Sequence, residues 1–119
     1  MPKNGFKNRP IKFRAWRDVG NGREKMLFSD NPPHPMALWA VHTLDSDSLH
    51  TIMQFTGLYD KEGIEIYEGD ILELDDIVCI VIFNDGGFHM ATDVSGHSPA
   101  VQDSTRRFNV VGNIFEGRQ

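Results

Sequence analysis

MQFTGLYDKEGIEIYEGD, residues 53–70, holds three local signals in one stretch. An apolar run ends at Phe55-Thr56-Gly57-Leu58, a polar turn follows at Asp60-Lys61-Glu62-Gly63, and a second run from Ile64 to Tyr67 leads into Glu68-Gly69-Asp70. Asp at the first turn position and Gly at the fourth suit a type I turn. Ile64 and Ile66 alternate with Glu65. That is the period of two by which a strand places one face in a core. Strand, tight turn, strand and Gly-Asp punctuation make this a β protein.

Outward toward the C-terminus, Ile71-Leu72-Glu73-Leu74 is a short strand, set off by Asp75-Asp76 from the run Ile77–Phe83. The latter is apolar at every position, which predicts a central strand covered on both faces, or one face used in subunit contact. Asn84-Asp85-Gly86-Gly87 is a hairpin turn, since these residues tolerate positive φ, and Phe88 to Thr92 returns. Asp93 to Thr105 reads as a polar loop. Phe108, Val110, Gly112 and Ile114 share one face of a final strand, where Gly112 admits a close approach. The expected core is Phe55, Ile66, Leu72, Leu74, Val78, Ile80, Ile82, Phe83, Val110 and Ile114.

Toward the N-terminus, Ile52–Thr56 is a strand. Ile11, Phe13 and Ala15 alternate with Lys12 and Arg14, so Phe13 is expected to face inward and the two cations outward. Val19-Gly20-Asn21-Gly22 is a turn and Glu24–Phe28 returns, giving an N-terminal hairpin. Asp30 to Pro35 is a Pro-rich loop, because Pro cannot donate to a ladder. Met36–Leu44 suits one short helix, with Pro35 near its first turn, and suits a strand equally. The fold class is mainly β: a small SH3-like barrel or a strongly bent antiparallel sheet, with the N-terminal hairpin and one short helix at most. At 119 residues the chain reads as one domain. Residues 1–50 hold the hairpin, loop and ambiguous segment, and 51–119 the barrel-like part.

Three stretches together carry a family resemblance: Ile11-Lys12-Phe13-Arg14-Ala15-Trp16, the 53–70 segment, and Val110-Val111-Gly112-Asn113-Ile114-Phe115. They resemble the YopX family, small proteins carried by bacteriophages and integrated phage elements. The resemblance implies that mobile-element setting. It implies no biochemical activity, because none is established for the family.

Composition and spacing weigh against several chemistries. Cys79 is the one cysteine and lies in the most apolar run, where a thiol packs as a small hydrophobe and lacks the cationic surroundings of a thiolate. His34, His42, His50, His89 and His97 do not combine into ligand spacings of the His-x-x-x-His or Cys-x-x-Cys kind, so no metal and no cofactor is expected. Asp75 and Asp76 are neighbours and point to opposite faces of an extended chain. The serines sit in polar loops without a nucleophile elbow. The glycine pairs precede no helix that would hold a phosphate. No apolar run reaches signal-peptide or bilayer-spanning length, so a cytoplasmic protein without membrane contact is expected; the family resemblance implies that the cell is a bacterial host.

The charges are segregated. Residues 1–25 carry eight bases and two acids, while residues 26–105 carry fourteen acids and one base, within a net charge of -5. The acidic field steers basic surfaces and repels phosphate backbones. The expected function is therefore a non-enzymatic module binding a protein, of the host or the phage in the setting that the resemblance implies. Contacts are expected through the loops at Asn31–Pro35, Asp60–Gly63 and Asp93–Thr105. Homo-oligomers are expected from the doubly apolar strand and the complementary charges. The runner-up is nucleic-acid binding through Lys12, Arg14, Trp16 and Arg17, a basic strand with an aromatic. An enzyme whose residues assemble only in three dimensions is the third reading.

Overall fold

The period-two stretches fold as strands, and the computed structural model describes residues 11–18, 24–28, 50–92 and 96–118. In chain order the elements are β1 (Phe13–Arg17), β2 (Lys25–Phe28), β3 (His50–Tyr59), β4 (Glu65–Tyr67), β5 (Asp70–Leu74), β6 (Ile77–Asn84), β7 (Gly87–Thr92), β8 (Gly96–Pro99), the one-turn helix α1 (Gln102–Thr105), β9 (Asn109–Asn113) and β10 (Gly117–Arg118). They form two antiparallel sheets, β2-β1-β3-β4 and β10-β9-β5-β6-β7-β8. The molecule is mainly β, a curled half-barrel, with one short helix among the described residues. The expected N-terminal hairpin is β1 against β2, with Ala15 opposite Leu27 and Trp16 opposite Met26. The turn at 19–22, the 30–35 loop and the ambiguous 36–44 segment lie outside the described residues.

The core of the larger sheet gathers Ile66, Leu72, Cys79, Val81, Met90 and Phe108. Phe55, Ile66 and Leu72 are buried as expected, but Cys79 and Val81 of β6 point inward instead of Val78, Ile80 and Ile82. The run is apolar at every position, so its alternation carried no phase. The register supplies it: Leu72 stands opposite Cys79 and Val81 opposite Met90. Leu74, Val78, Ile80, Ile82 and Val110 are half-buried. Phe83 and Ile114 are exposed, at 54% and 51%, because Phe83 is the next-to-last residue of β6, beside the hairpin turn, and Ile114 sits in the turn after β9, not on a strand.

Within the segment read as a polar loop, Asp93–Thr105, the described residues 96–105 hold a strand and a helical turn. Residues 96–99 add β8 to β7, with Met90 opposite Ser98. The α1 side chains then serve as a substitute strand for the end of β3. Gln102 donates to the Tyr59 carbonyl at 2.9 Å and accepts from the Tyr59 amide at 3.3 Å, and the Thr105 hydroxyl donates to the same carbonyl at 3.0 Å. These bonds satisfy backbone groups at the end of β3 that β1 does not reach, since β1 pairs only with residues 50–54 of that strand.

Asp60 joins the two sheets from the 60–63 turn. The expected turn forms, with the Gly63 amide donating to the Asp60 carbonyl at 3.1 Å. Its carboxylate is buried. Oδ1 accepts from the Glu62 and Ile64 amides, both at 2.8 Å, and Oδ2 from the Val110 amide of β9 at 2.9 Å. A second tie runs through Gly69, at φ +89° between β4 and β5. Its amide donates to the Val81 carbonyl at 2.8 Å, and its carbonyl accepts from the Ile114 amide at 2.9 Å. A Cβ there would stand 3.0 Å from the Met53 sulfur. Gly112 admits a backbone approach, as its sequence position implied: a Cβ would fall 1.9 Å from the Gly117 carbonyl oxygen.

Candidate functional site

The bent junction between the sheets leaves an apolar groove. Thr51, Ile52 and Met53 of β3 form one wall, and Ile80, Val81, Ile82 and Phe83 of β6 the other. Glu68-Gly69 and Ile114-Phe115 close its ends around about 210 Å³. The β6 residues that alternate with the core thus line a second apolar surface, which is why this strand carries no polar face.

The rim is held rigidly. Asn113 Oδ1 accepts from the amides of Phe115 at 3.0 Å and Glu116 at 2.9 Å, and its Nδ2 donates to Glu116 at 2.7 Å. Gly112 packs on Gly117 beneath this turn. Ile114 is therefore presented at the tip of a fixed turn. Phe115 stacks on Trp16, with ring centroids 5.5 Å apart and planes 16° from parallel. Phe83 meets Phe88 edge to face at 5.3 Å, which fixes its ring while leaving it half-exposed. Glu68 at the groove and exposed Glu116 beside it make the border acidic.

The structure separates the four residues expected to bind a partner. Lys12, Arg14 and Trp16 share the face of β1 that turns toward the second sheet, the reverse of the outward direction expected for the two cations. Lys12 pairs with Glu65 and lies 5.4 Å from the centre of the Phe55 ring. Arg14 is buried: it donates to Asp70 Oδ1 at 2.8 Å and to the Glu68 carbonyl at 3.1 Å, and its guanidinium stands 4.8 Å from the Tyr67 ring centre. The strand period was right, but both faces of β1 are covered, so alternation did not identify the solvent side. Trp16 reaches the groove through Phe115, and Arg17 is exposed at the end of β1.

Asp70 completes the pair, with Oδ2 accepting from the Tyr67 amide at 2.7 Å. Burial pushes its carboxyl above the ordinary value of 3.8, against the pull of Arg14 and the Tyr67 amide. Burial likewise pushes the Cys79 thiol up to about 11, which leaves it protonated and unreactive at neutral pH. Asp75 and Asp76 are exposed in their turn. Among the described residues, no group of three or more His, Cys, Asp or Glu is placed to hold a metal. No helix among them is long and apolar enough to cross a membrane.

The groove residues Ile80, Ile82, Phe83 and Ile114 were read from sequence as strand core, not as a surface. The one signal in advance was the doubly apolar Ile77–Phe83 run, which allowed a contact face.

A family model described as YopX protein matches residues 12–118. Among solved structures the fold is similar to that of protein EF1440 from Enterococcus faecalis, at 22% identity and a TM-score of 0.54, covering 90% of this chain and 94% of that one. No curated protein matches.

Proposed function

We propose that this chain, which belongs to the YopX family, is a non-enzymatic interaction module binding a protein of a bacterial host or of the phage that encodes it. The observation that carries this reading is the apolar groove, with Phe83 and Ile114 half-exposed on a rigid rim. Exposed large apolar side chains around a concavity mark interaction surfaces. At about 210 Å³ the groove accepts one or two side chains and lies below the size usual for cofactor sites. Glu68 and Glu116 at its border favour a segment that flanks an aliphatic or aromatic side chain with Lys or Arg. A cytoplasmic setting in the bacterial cell goes with this reading.

Nucleic-acid binding through β1 is disfavoured, because Lys12 and Arg14 are committed to Glu65 and Asp70. Phosphate contacts need cations free to replace counterions.

The test is capture from host cells carrying the phage element, comparing the parent with a Phe83→Asp/Ile114→Asp variant. Both side chains are exposed, so the variant folds. A protein held by the parent and lost by the variant supports the reading. Equal capture by both, or salt-sensitive DNA retention by the parent, refutes it.

A further inference from the structure

The groove has a border of one charge sign. Glu68 lines it, exposed Asp85 follows Phe83 by two residues, and exposed Glu116 stands next to Phe115. No base is among its described lining residues. Arg17, past Trp16 at one end, is exposed next to Asp18, also exposed, so that end adds no net charge. An apolar concavity of about 210 Å³ with acids at its border suits one large apolar side chain flanked by bases.

The chain itself contains such a segment. Residues 3–9 read Lys-Asn-Gly-Phe-Lys-Asn-Arg, which sets Phe6 between Lys3 and Lys7, with Arg9 beyond. Residues 1–12 hold four bases and no acid. Other aromatics beside bases are committed to the fold: Phe13 and Trp16 belong to β1, and Phe108 is in the core.

The groove of the same copy is out of reach for Phe6. The Phe55 amide donates to the Lys12 carbonyl at 2.9 Å, so Ile11 stands beyond residue 55 of β3, whereas the groove wall is residues 51–53. β1 runs from there toward that wall, antiparallel to β3, so a return needs a reversal of direction ahead of Ile11. The path from Ile11 back to Ile52 covers about 13 Å at the rise of a strand. Phe6 lies five residues before Ile11, at most about 18 Å of extended chain. A reversal occupies about four residues, which leaves too little chain for the return. A groove on a second copy carries no such limit.

We propose that the groove receives residues 3–9 of a second copy of this chain. Phe6 enters beside Phe83 and Ile114, and Lys3, Lys7 and Arg9 meet the acidic border. The inference rests on the reading of the groove as a protein-binding surface and names its occupant. Each copy offers one segment and one groove, so two copies close by exchanging segments about a two-fold axis. The first contact makes the second intramolecular, which lets two small contacts hold a dimer. The charges orient the exchange, and salt weakens them. Another protein bearing the same pattern competes with the segment for the groove.

Light scattering on the purified full chain, at micromolar concentration in low salt, reads the mass. The parent is expected to be a dimer. Phe6→Asp keeps the groove and removes the entering side chain. Phe83→Asp/Ile114→Asp keeps the segment and spoils the groove. Each is expected to be a monomer with the circular dichroism spectrum of the parent. Lys7→Glu/Arg9→Glu, which leaves Phe6 in place, is expected to weaken the dimer at least about tenfold. Mixing the Phe6→Asp chain with the Phe83→Asp/Ile114→Asp chain gives each what it lacks. A heterodimer is expected to return, at a higher concentration than the parent needs, because only one of the two contacts forms. A monomeric parent overturns the proposal, as does a dimer undiminished by Phe6→Asp, or a mixture that stays monomeric. A monomeric parent that still captures another protein through positions 83 and 114 removes the second copy from the groove and leaves the groove's own role standing.

Discussion

Replacing Arg14 by methionine and Asp70 by asparagine perturbs the two ends of one buried pair, and the two changes have unequal costs. At 2.8 Å the attraction is at most about 6 kcal/mol for an effective dielectric constant of 20, most of it offset by desolvation. Without Asp70, Arg14 keeps the Glu68 carbonyl at 3.1 Å and the Tyr67 ring at 4.8 Å. Without Arg14, Asp70 keeps only the Tyr67 amide at 2.7 Å. Its carboxyl already lies above 3.8 with Arg14 present, so the folded chain holds that proton more tightly than the unfolded chain does. The contribution of this group to stability is full below 3.8 and falls as pH rises through the folded value. A neutral side chain at 70 is thus tolerated, and an unpaired carboxylate is not. Arg14→Met is expected to cost about 3–5 kcal/mol at pH 7, and Asp70→Asn no more than about 1 kcal/mol. The double variant should recover most of the loss. The Arg14→Met cost shrinks on acidification as Asp70 takes up its proton. Urea unfolding of the four proteins, followed by circular dichroism at neutral and mildly acidic pH, reads all of this. The reasoning fails if Arg14→Met is no worse than Asp70→Asn, or if its cost is unchanged by acid.

Gly112→Ala drives a Cβ to 1.9 Å from the Gly117 carbonyl at φ +152°, and is expected to cost about 2–4 kcal/mol in denaturant unfolding. Asp60→Ala orphans three amides, and should lower stability by about 2–4 kcal/mol with loss of hydrogen-exchange protection at Glu62, Ile64 and Val110. Leu72→Ala, in the centre of the core, should cost about 2–5 kcal/mol, whereas Phe83→Ala at the groove rim should cost less than about 1 kcal/mol while abolishing partner capture.

Local chemistry made most of the strand layout legible. Turn residues at Asp60–Gly63 and Asn84–Gly87 fixed the hairpins, and alternation at Phe13–Ala15 and Ile64–Ile66 identified strands. Facing was less legible. Ile77–Phe83 has no polar residue to mark a phase, so only pairing with β5 and β7 decided that Cys79 and Val81 go inside. Arg14 looked solvent-facing because a cation in an alternating strand usually is. Its partner, Asp70, lies 56 positions away and looked like turn punctuation. The Asp93–Thr105 segment read as a loop because its bonds to Tyr59 come from side chains of Gln102 and Thr105, which no backbone pattern announces. The groove was hidden for a related reason: its residues are those of a core, and only the bend at Gly69 exposes them.

Photo-crosslinking most directly tests the central claim that the groove receives a protein segment. A photoreactive phenylalanine analogue replaces Phe83 or Ile114 in the full chain, with the exposed Asp103 as a control position. Irradiation in bacterial cells producing the chain is followed by mass mapping of the adducts. The account predicts one protein partner crosslinked from positions 83 and 114 and not from 103, through a segment in which Lys or Arg flanks an apolar side chain. Adducts to nucleic acid, or equal protein adducts from all three positions, would contradict it.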